Sequence, residues 1–146
     1  MYFVDRQEIR DTLDYIEELL MTFKNQETFK TNVEKQSLER MTHMLIESVL
    51  DVGRMMIDGF VMRDPGSYED IIDILADEKV IPDEDEEAYK ALIRLRKMVV
   101  IDYLTIEHDV LYETLNEHKD TLLTFPNYVR KYLKEELDVP HAFTNE

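Results

Sequence analysis

Chemistry in this sequence centres on one short segment, residues 95–103, in which Arg96 and Tyr103 bracket an apolar turn. An arginine stabilises negative charge on a phosphoryl group, and a histidine transfers protons near neutral pH. The segment supplies the arginine but contains no histidine. Both residues also have a purely structural interpretation, in which Arg96 pairs with an acid and Tyr103 is a half-buried aromatic residue.

The four histidines do not form a ligand set in the sequence. His43 has Glu39 and Glu47 at four-residue offsets, which is the spacing that places metal ligands on one face of a helix. Such pairs are common in a chain with 33 acidic residues, so an exposed polar face is the better interpretation. We predict no metal site and no cofactor. The other three histidines are His108, His118 and His141.

Composition narrows the function classes further. The formal net charge is −16, which repels phosphate backbones, so RNA is not the expected partner. The chain has no cysteine, which excludes disulfides and thiolate chemistry. No apolar run approaches the roughly 18 residues of a membrane span. We therefore expect a cytoplasmic protein with no membrane partner.

The elements that must position these residues are predicted to be helices, because apolar residues recur at alternating steps of three and four. Capping patterns begin at Asp5, Thr31 and Ser67. The first four helices are predicted at about residues 6–23, 31–57, 68–78 and 84–101. In the fourth helix, residues 98–101 are apolar on every side, which predicts a turn that is buried all round.

The second half of the chain is less regular. Thr105 is expected to cap the next helix, and Pro126 either breaks the chain near residues 119–124 or kinks the last helix. Strands that alternate with period two are absent. The sequence predicts an all-α fold, an antiparallel bundle of about five long helices. We expect a single domain over residues 1–137 and a loose C-terminal tail over residues 138–146.

The stretch from Glu39 to Leu115 resembles the HepT-like branch of the HEPN superfamily. The pieces that carry the resemblance are residues 47–54, 65–68, 75–82 and 96–103. The resemblance implies an all-α homodimer, and many such proteins are toxins of toxin–antitoxin pairs that cut RNA without a metal. It also implies a partner nucleotidyltransferase that adds AMP to the tyrosine of the motif.

The family signature is Arg, usually Asn, three residues, His, one residue and Tyr. By this resemblance Arg96 is the motif arginine and Tyr103 is the candidate AMP acceptor. This sequence departs from the signature at two positions, because Lys97 replaces the Asn and Ile101 replaces the His. Isoleucine cannot transfer a proton, and losing one general acid–base group typically costs about 10²- to 10⁴-fold in rate.

Three hypotheses follow. The first is a HepT-like homodimer that kept the scaffold, lost RNA cleavage and serves as a binding protein. The second is an active ribonuclease toxin in which Asp102, or His108 from the next helix or from a second copy, replaces the missing histidine. The third is a substrate protein that accepts AMP on Tyr103. We also expect the apolar turn at residues 98–101 and the two long helices to supply the surface of a homodimer.

Overall fold

The structure, a computed structural model, describes residues 4–138, and every regular element in that range is helical. The predicted all-α class and helical bundle are confirmed. The described range has six α-helices, of which the third and fourth are short. They are α1 (Arg6–Asn25), α2 (Asn32–Gly59), α3 (Tyr68–Asp77), α4 (Glu86–Arg94), α5 (His108–Leu122) and α6 (Thr124–Asp138).

The first three helices begin where the capping patterns predict. The Thr31 side chain accepts a hydrogen bond from the Glu34 backbone N–H, and the Glu34 carboxylate accepts one from Thr31, which completes a capping box. Ser67 accepts from the Asp70 backbone N–H at 3.0 Å. These caps satisfy backbone groups that helix termini leave without partners.

Helix α2 lies at the centre of the bundle, in contact with α1, α3, α4 and α5. Its apolar stripe is fully buried, as at Leu38, Leu45 and Met56. Gly53 allows α3 to approach closely, because a Cβ at this position would overlap the Ile71 side chain. The central helix is therefore held rigidly on several sides, and it can position any polar side chain on its remaining face.

The fourth helix ends earlier than predicted. α4 stops at Arg94, and Lys97–Ile101 forms a π-helical turn in which the Asp102 N–H bonds the Lys97 carbonyl at 2.9 Å. The prediction that residues 98–101 are buried all round is wrong: Val99 is buried, whereas Ile101 is 60% exposed. The wider turn shifts Ile101 away from the apolar stripe of α4. Such π-turns are frequent at functional sites.

The connections around α5 resolve two further predictions. Thr105 does not cap α5, which begins at His108. Instead, the Thr105 hydroxyl donates to the Asp102 carbonyl at 3.2 Å within a 3₁₀ turn. The helical structure is interrupted between α5 and α6. Pro126 lies in the first turn of α6, where its missing N–H costs no hydrogen bond.

Of the predicted tail, Asp138 is the last residue of α6, and residues 139–146, with His141, lie outside the described range. The single-domain boundary at residue 137 stays a prediction. No helix in the described part of the chain is long and apolar enough to cross a membrane.

Candidate functional site

The motif arginine is held by the central helix. Arg96 follows α4 directly, and its Nε donates to Glu47 Oε1 on α2 at 3.0 Å. The guanidinium carbon lies 4.5 Å from the ring centroid of Tyr68, which is within cation–π distance. Within the described range the two terminal nitrogens of Arg96 make no hydrogen bond. The Arg96 side chain is therefore held by the Nε hydrogen bond to Glu47 and by the Tyr68 ring, and its two terminal nitrogens have no protein partner in this range.

A histidine shares the carboxylate that holds this arginine. His43 lies one turn before Glu47 on α2, and its Nε2 is 3.6 Å from Glu47 Oε1, the oxygen that also accepts from Arg96. That distance is longer than a hydrogen bond, so the contact is electrostatic and is attractive when the imidazole is protonated. The His43 side chain is 36% exposed. The imidazole of His43 and the guanidinium of Arg96 thus meet at one carboxylate oxygen.

The sequence alone does not predict that His43 and Arg96 contact the same carboxylate. The pair His43 and Glu47 has an i, i+4 spacing in the sequence, which by itself predicts an exposed polar face. Glu47 and Arg96 are 49 residues apart in the chain. Motif spacing within residues 96–103 carries no information about a contact with another helix. Only the fold brings Arg96 to Glu47.

The other residues of the motif segment lie at the surface. Lys97 Nζ pairs with Asp102 Oδ2 at 2.7 Å, so the candidate base Asp102 is engaged by a neighbouring lysine. Ile101, Tyr103 and Leu104 are 60%, 63% and 87% exposed. We call these three exposed residues, which follow Arg96 closely in the chain, the motif surface.

His108, the other candidate proton carrier, is engaged elsewhere on α2. Its Nε2 lies 2.6 Å from Glu39 Oε2, two turns before Glu47 on the same helix. Within the described range neither His108 nor Asp102 makes a hydrogen bond or an ion pair with Arg96. Of the histidines considered, His43 is the one that the fold brings to the carboxylate of the motif arginine.

Two hollows are lined by the side chains that contact Glu47, one by His43 and the other by Arg96. The first, which we call the His43 hollow, measures about 350 Å³ and is lined by Gln36, Glu39, Arg40, His43 and Val99. The second, which we call the Arg96 hollow, measures about 360 Å³. It is lined by Ser67, Tyr68, Glu69, Ile93, Arg94, Arg96, Lys97 and Ile101.

Ion pairs offset most of the positive charge in the Arg96 hollow. Arg94 pairs with Glu69 at 3.0 Å and with Glu87 at 2.6 Å, and the hydrogen bonds that Arg94 donates to these carboxylates raise its pKa. Among the described residues, no group of three or more histidines and carboxylates is placed to hold a metal ion. The groups available for chemistry are therefore His43 and the free edge of Arg96.

Comparison with known proteins decides the family. The Ribonuclease HepT-like family matches residues 9–129, which is most of the chain. The chain belongs to the HepT-like family. A protein of Bacillus subtilis (strain 168) named "Putative RNase YutE" is 45% identical over 143 residues, covering 98% of this chain and 99% of that protein.

Two solved structures share the fold of this HepT-like chain. The "Structure of Cytosolic Protein of Unknown Function YutE from Bacillus subtilis" has a TM-score of 0.91 and 45% identity, and covers 94% of this chain and 96% of that one. The "Crystal structure of the toxin-antitoxin with AMP-PNP" has a TM-score of 0.69 and 14% identity, covering 84% of this chain and 94% of that one. The resemblance inferred from the sequence is confirmed.

Proposed function

We propose that this HepT-like chain is a ribonuclease in which His43, and not position 101, supplies the proton transfer. The observation that carries the proposal is the shared carboxylate: Arg96 Nε and His43 Nε2 both contact Glu47 Oε1. The family description and the ribonuclease name of the 45% identical relative support this reaction class. The proposal differs from the sequence-based first hypothesis because a histidine lies beside Arg96 after all.

The reaction follows from the groups present. A phosphodiester of RNA approaches the free terminal nitrogens of Arg96, which stabilise the negative charge that grows on the phosphoryl oxygens in the transition state. His43 removes the proton from the 2′-hydroxyl, the 2′-oxygen bonds to phosphorus, and the bond to the 5′-oxygen breaks. The leaving 5′-oxygen takes a proton from water, and the products are a cyclic phosphate end and a 5′-hydroxyl end.

Glu47 positions both groups. Its hydrogen bond to Arg96 Nε orients the guanidinium so that the terminal edge faces the phosphate. Its negative charge stabilises the imidazolium that forms when His43 accepts a proton. The carboxylate therefore acts through its two neighbours and need not touch the substrate.

The motif surface fits the homodimer that the family implies. Ile101, Tyr103 and Leu104 expose apolar groups side by side, and a twofold contact is the commonest way to cover such a surface. In a dimer of this kind, Arg96 of each copy would lie close to the interface. We expect Leu104→Glu to shift sedimentation at micromolar concentration from dimer to monomer. A wild-type monomer at that concentration would contradict this arrangement.

The ribonuclease proposal is tested by cleavage of a single-stranded RNA with purified wild type and His43→Gln. We expect His43→Gln to lower the rate by about 10²- to 10⁴-fold, because one general acid–base group is lost. His118→Gln is the matched control, since His118 lies on α5 and pairs with Glu117 rather than with Glu47. Equal rates for wild type and His43→Gln would contradict the proposal.

A second candidate is the non-catalytic homodimeric scaffold. The exposed isoleucine at the motif position and the ion pairs of Arg94 and Lys97 favour it, as does the net charge of −16. In this case the same assay gives no cleavage by the wild type above background. The protein then acts only through its association surface.

A third role, compatible with either candidate, concerns Tyr103. Its side chain is 63% exposed, so an enzyme can reach it, and a structural neighbour is a toxin–antitoxin structure with AMP-PNP. We propose a cytoplasmic nucleotidyltransferase partner that transfers AMP to the Tyr103 hydroxyl. Incubation with a candidate enzyme and ATP should add the mass of one AMP to the wild type and none to Tyr103→Phe. An equal mass gain in both proteins would exclude Tyr103 as the acceptor.

A further inference from the structure

The His43 hollow contains an arginine whose charge no neighbour offsets. Arg40 lies on α2 one turn before His43, and within the described range it makes neither a hydrogen bond nor an ion pair. Arg10 bonds the amide of Gln7, and five other arginines in that range pair with carboxylates. They are Arg54, Arg63, Arg94, Arg96 and Arg130. In a chain with 33 acidic residues, Arg40 makes no ion pair within the described range, and it is a candidate site for an external anion.

The acid in the same hollow is itself engaged. Glu39 lines the hollow and would repel an anion, but His108 Nε2 lies 2.6 Å from its Oε2. A neutral His108 donates a hydrogen bond to this carboxylate, and a protonated one also offsets its charge. The repulsion that Glu39 exerts on an anion in this hollow is therefore reduced.

Spacing on the helix links this hollow to the reaction site. Arg40, His43 and Glu47 follow one another at steps of three and four residues, so their side chains share one face of α2. Each such step advances roughly 4.5–6 Å along the axis. A strand whose phosphate lies at Arg96 can therefore continue past His43 and present its next phosphate to Arg40.

We propose that the His43 hollow is a second phosphate subsite, in which Arg40 binds the phosphodiester next to the one that is cut. The substrate class is single-stranded RNA, and this choice of ligand rests on the proposed function. Arg40 binds substrate and transfers no proton. Its loss therefore weakens substrate binding and raises KM, whereas the loss of His43 lowers kcat.

The test measures binding apart from cleavage. A fluorescent single-stranded oligonucleotide with 2′-deoxyribose lacks the attacking hydroxyl, so its affinity is measured by anisotropy over a series of salt concentrations without turnover. We expect Arg40→Ala to weaken binding about tenfold, because a hydrogen bond to a charged group is lost. The slope of log affinity against log salt should fall by roughly 0.7, the value for one phosphate contact on a single strand.

Control variants separate the subsite from general charge effects. Arg10→Ala removes one positive charge from α1, where Arg10 bonds Gln7, and should leave the salt slope unchanged. Arg40→Lys keeps the charge and should retain most of the slope. An Arg40→Ala slope equal to that of wild type, or wild type that binds no oligonucleotide at low salt, would overturn the subsite.

The outcome also distinguishes the two proposals. If RNA is not cut and Arg40→Ala still lowers the salt slope, the ribonuclease proposal fails and the phosphate subsite stands. If His43→Gln abolishes cleavage and Arg40→Ala changes neither the slope nor KM, the subsite fails and the ribonuclease proposal stands.

Discussion

Two arginines, Arg130 and Arg96, show how the same side chain serves different purposes in one bundle. Arg130 on α6 uses both terminal nitrogens, each 2.8 Å from an oxygen of Glu17, and a third bond of 2.8 Å reaches Asp14. Arg96 uses only Nε, bonded to one oxygen of Glu47. The first arrangement leaves no edge for a ligand, and the second leaves the edge that binds phosphates best.

The neighbours of the two arginines differ as well. Around Arg130 the carboxylates belong to α1, so the contact ties the first helix to the last, and its hydrogen bonds lower the pKa of Glu17. Around Arg96 the carboxylate is shared with His43, whose imidazole can accept and donate a proton. The comparison therefore assigns stability to one site and chemistry to the other.

The largest expected effect is on cleavage at the Arg96 site. Arg96→Ala should lower the rate of RNA cleavage by about 10²- to 10³-fold, because a group that stabilises transition-state charge is removed. The free energy of unfolding should fall by about 1 kcal/mol, since one partly exposed ion pair and the cation–π contact with Tyr68 are lost. Cleavage kinetics and urea unfolding of the same preparation check both statements. A large loss of stability with normal cleavage would reverse the two assignments.

Arg130→Ala should give the opposite pattern. We expect the free energy of unfolding to fall by about 1–2 kcal/mol, less than for a fully buried pair because water reaches part of this site. The rate of cleavage per folded molecule should stay within about twofold of wild type, since the site is far from the chemistry in this account. Urea titration and single-turnover cleavage supply the two numbers. A cleavage defect as large as that of Arg96→Ala would contradict the comparison.

The smallest expected effect is a pH dependence of the Arg130 site. The pKa of Glu17 is lowered in the fold, chiefly by the hydrogen bond from Arg130, so its contribution is fully present above the ordinary carboxylate value of about 4.3. It is lost as pH falls through the lowered folded value. The stability difference between wild type and Arg130→Ala should therefore be constant near neutral pH and should shrink in acid. Urea titrations at several pH values measure this stability difference. A difference that stays constant down to acid pH would refute the prediction.

Sequence patterns predicted those parts of the fold that depend on local chemistry. The capping residues Thr31 and Ser67 mark helix starts because a cap is formed by residues three apart in the chain. The end of α4 could not be predicted in this way. Residues 97–101 are apolar enough to continue a buried helix, and the π-helical turn that exposes Ile101 depends on how this segment packs against α2.

The candidate site was predictable only in part, for the same physical reason. Arg96 and Tyr103 follow from the spacing of a family motif, which is local. The contact of Arg96 with Glu47 joins residues on two helices, and nothing in the sequence near Arg96 indicates which acid it meets. His43 becomes a candidate only once Glu47 is known to hold the arginine, so its role depends on tertiary packing.

The most direct test of the central claim is a double-mutant cycle on kcat/KM for RNA cleavage, with His43→Gln, Arg96→Ala and the combined variant. Residues that act on one reacting phosphate as a unit show strongly non-additive losses. We predict that the combined variant loses about as much activity as the more damaging single variant. Losses that multiply in the combined variant, or a His43→Gln protein with wild-type kcat/KM, would contradict the claim that the two residues form one site around Glu47.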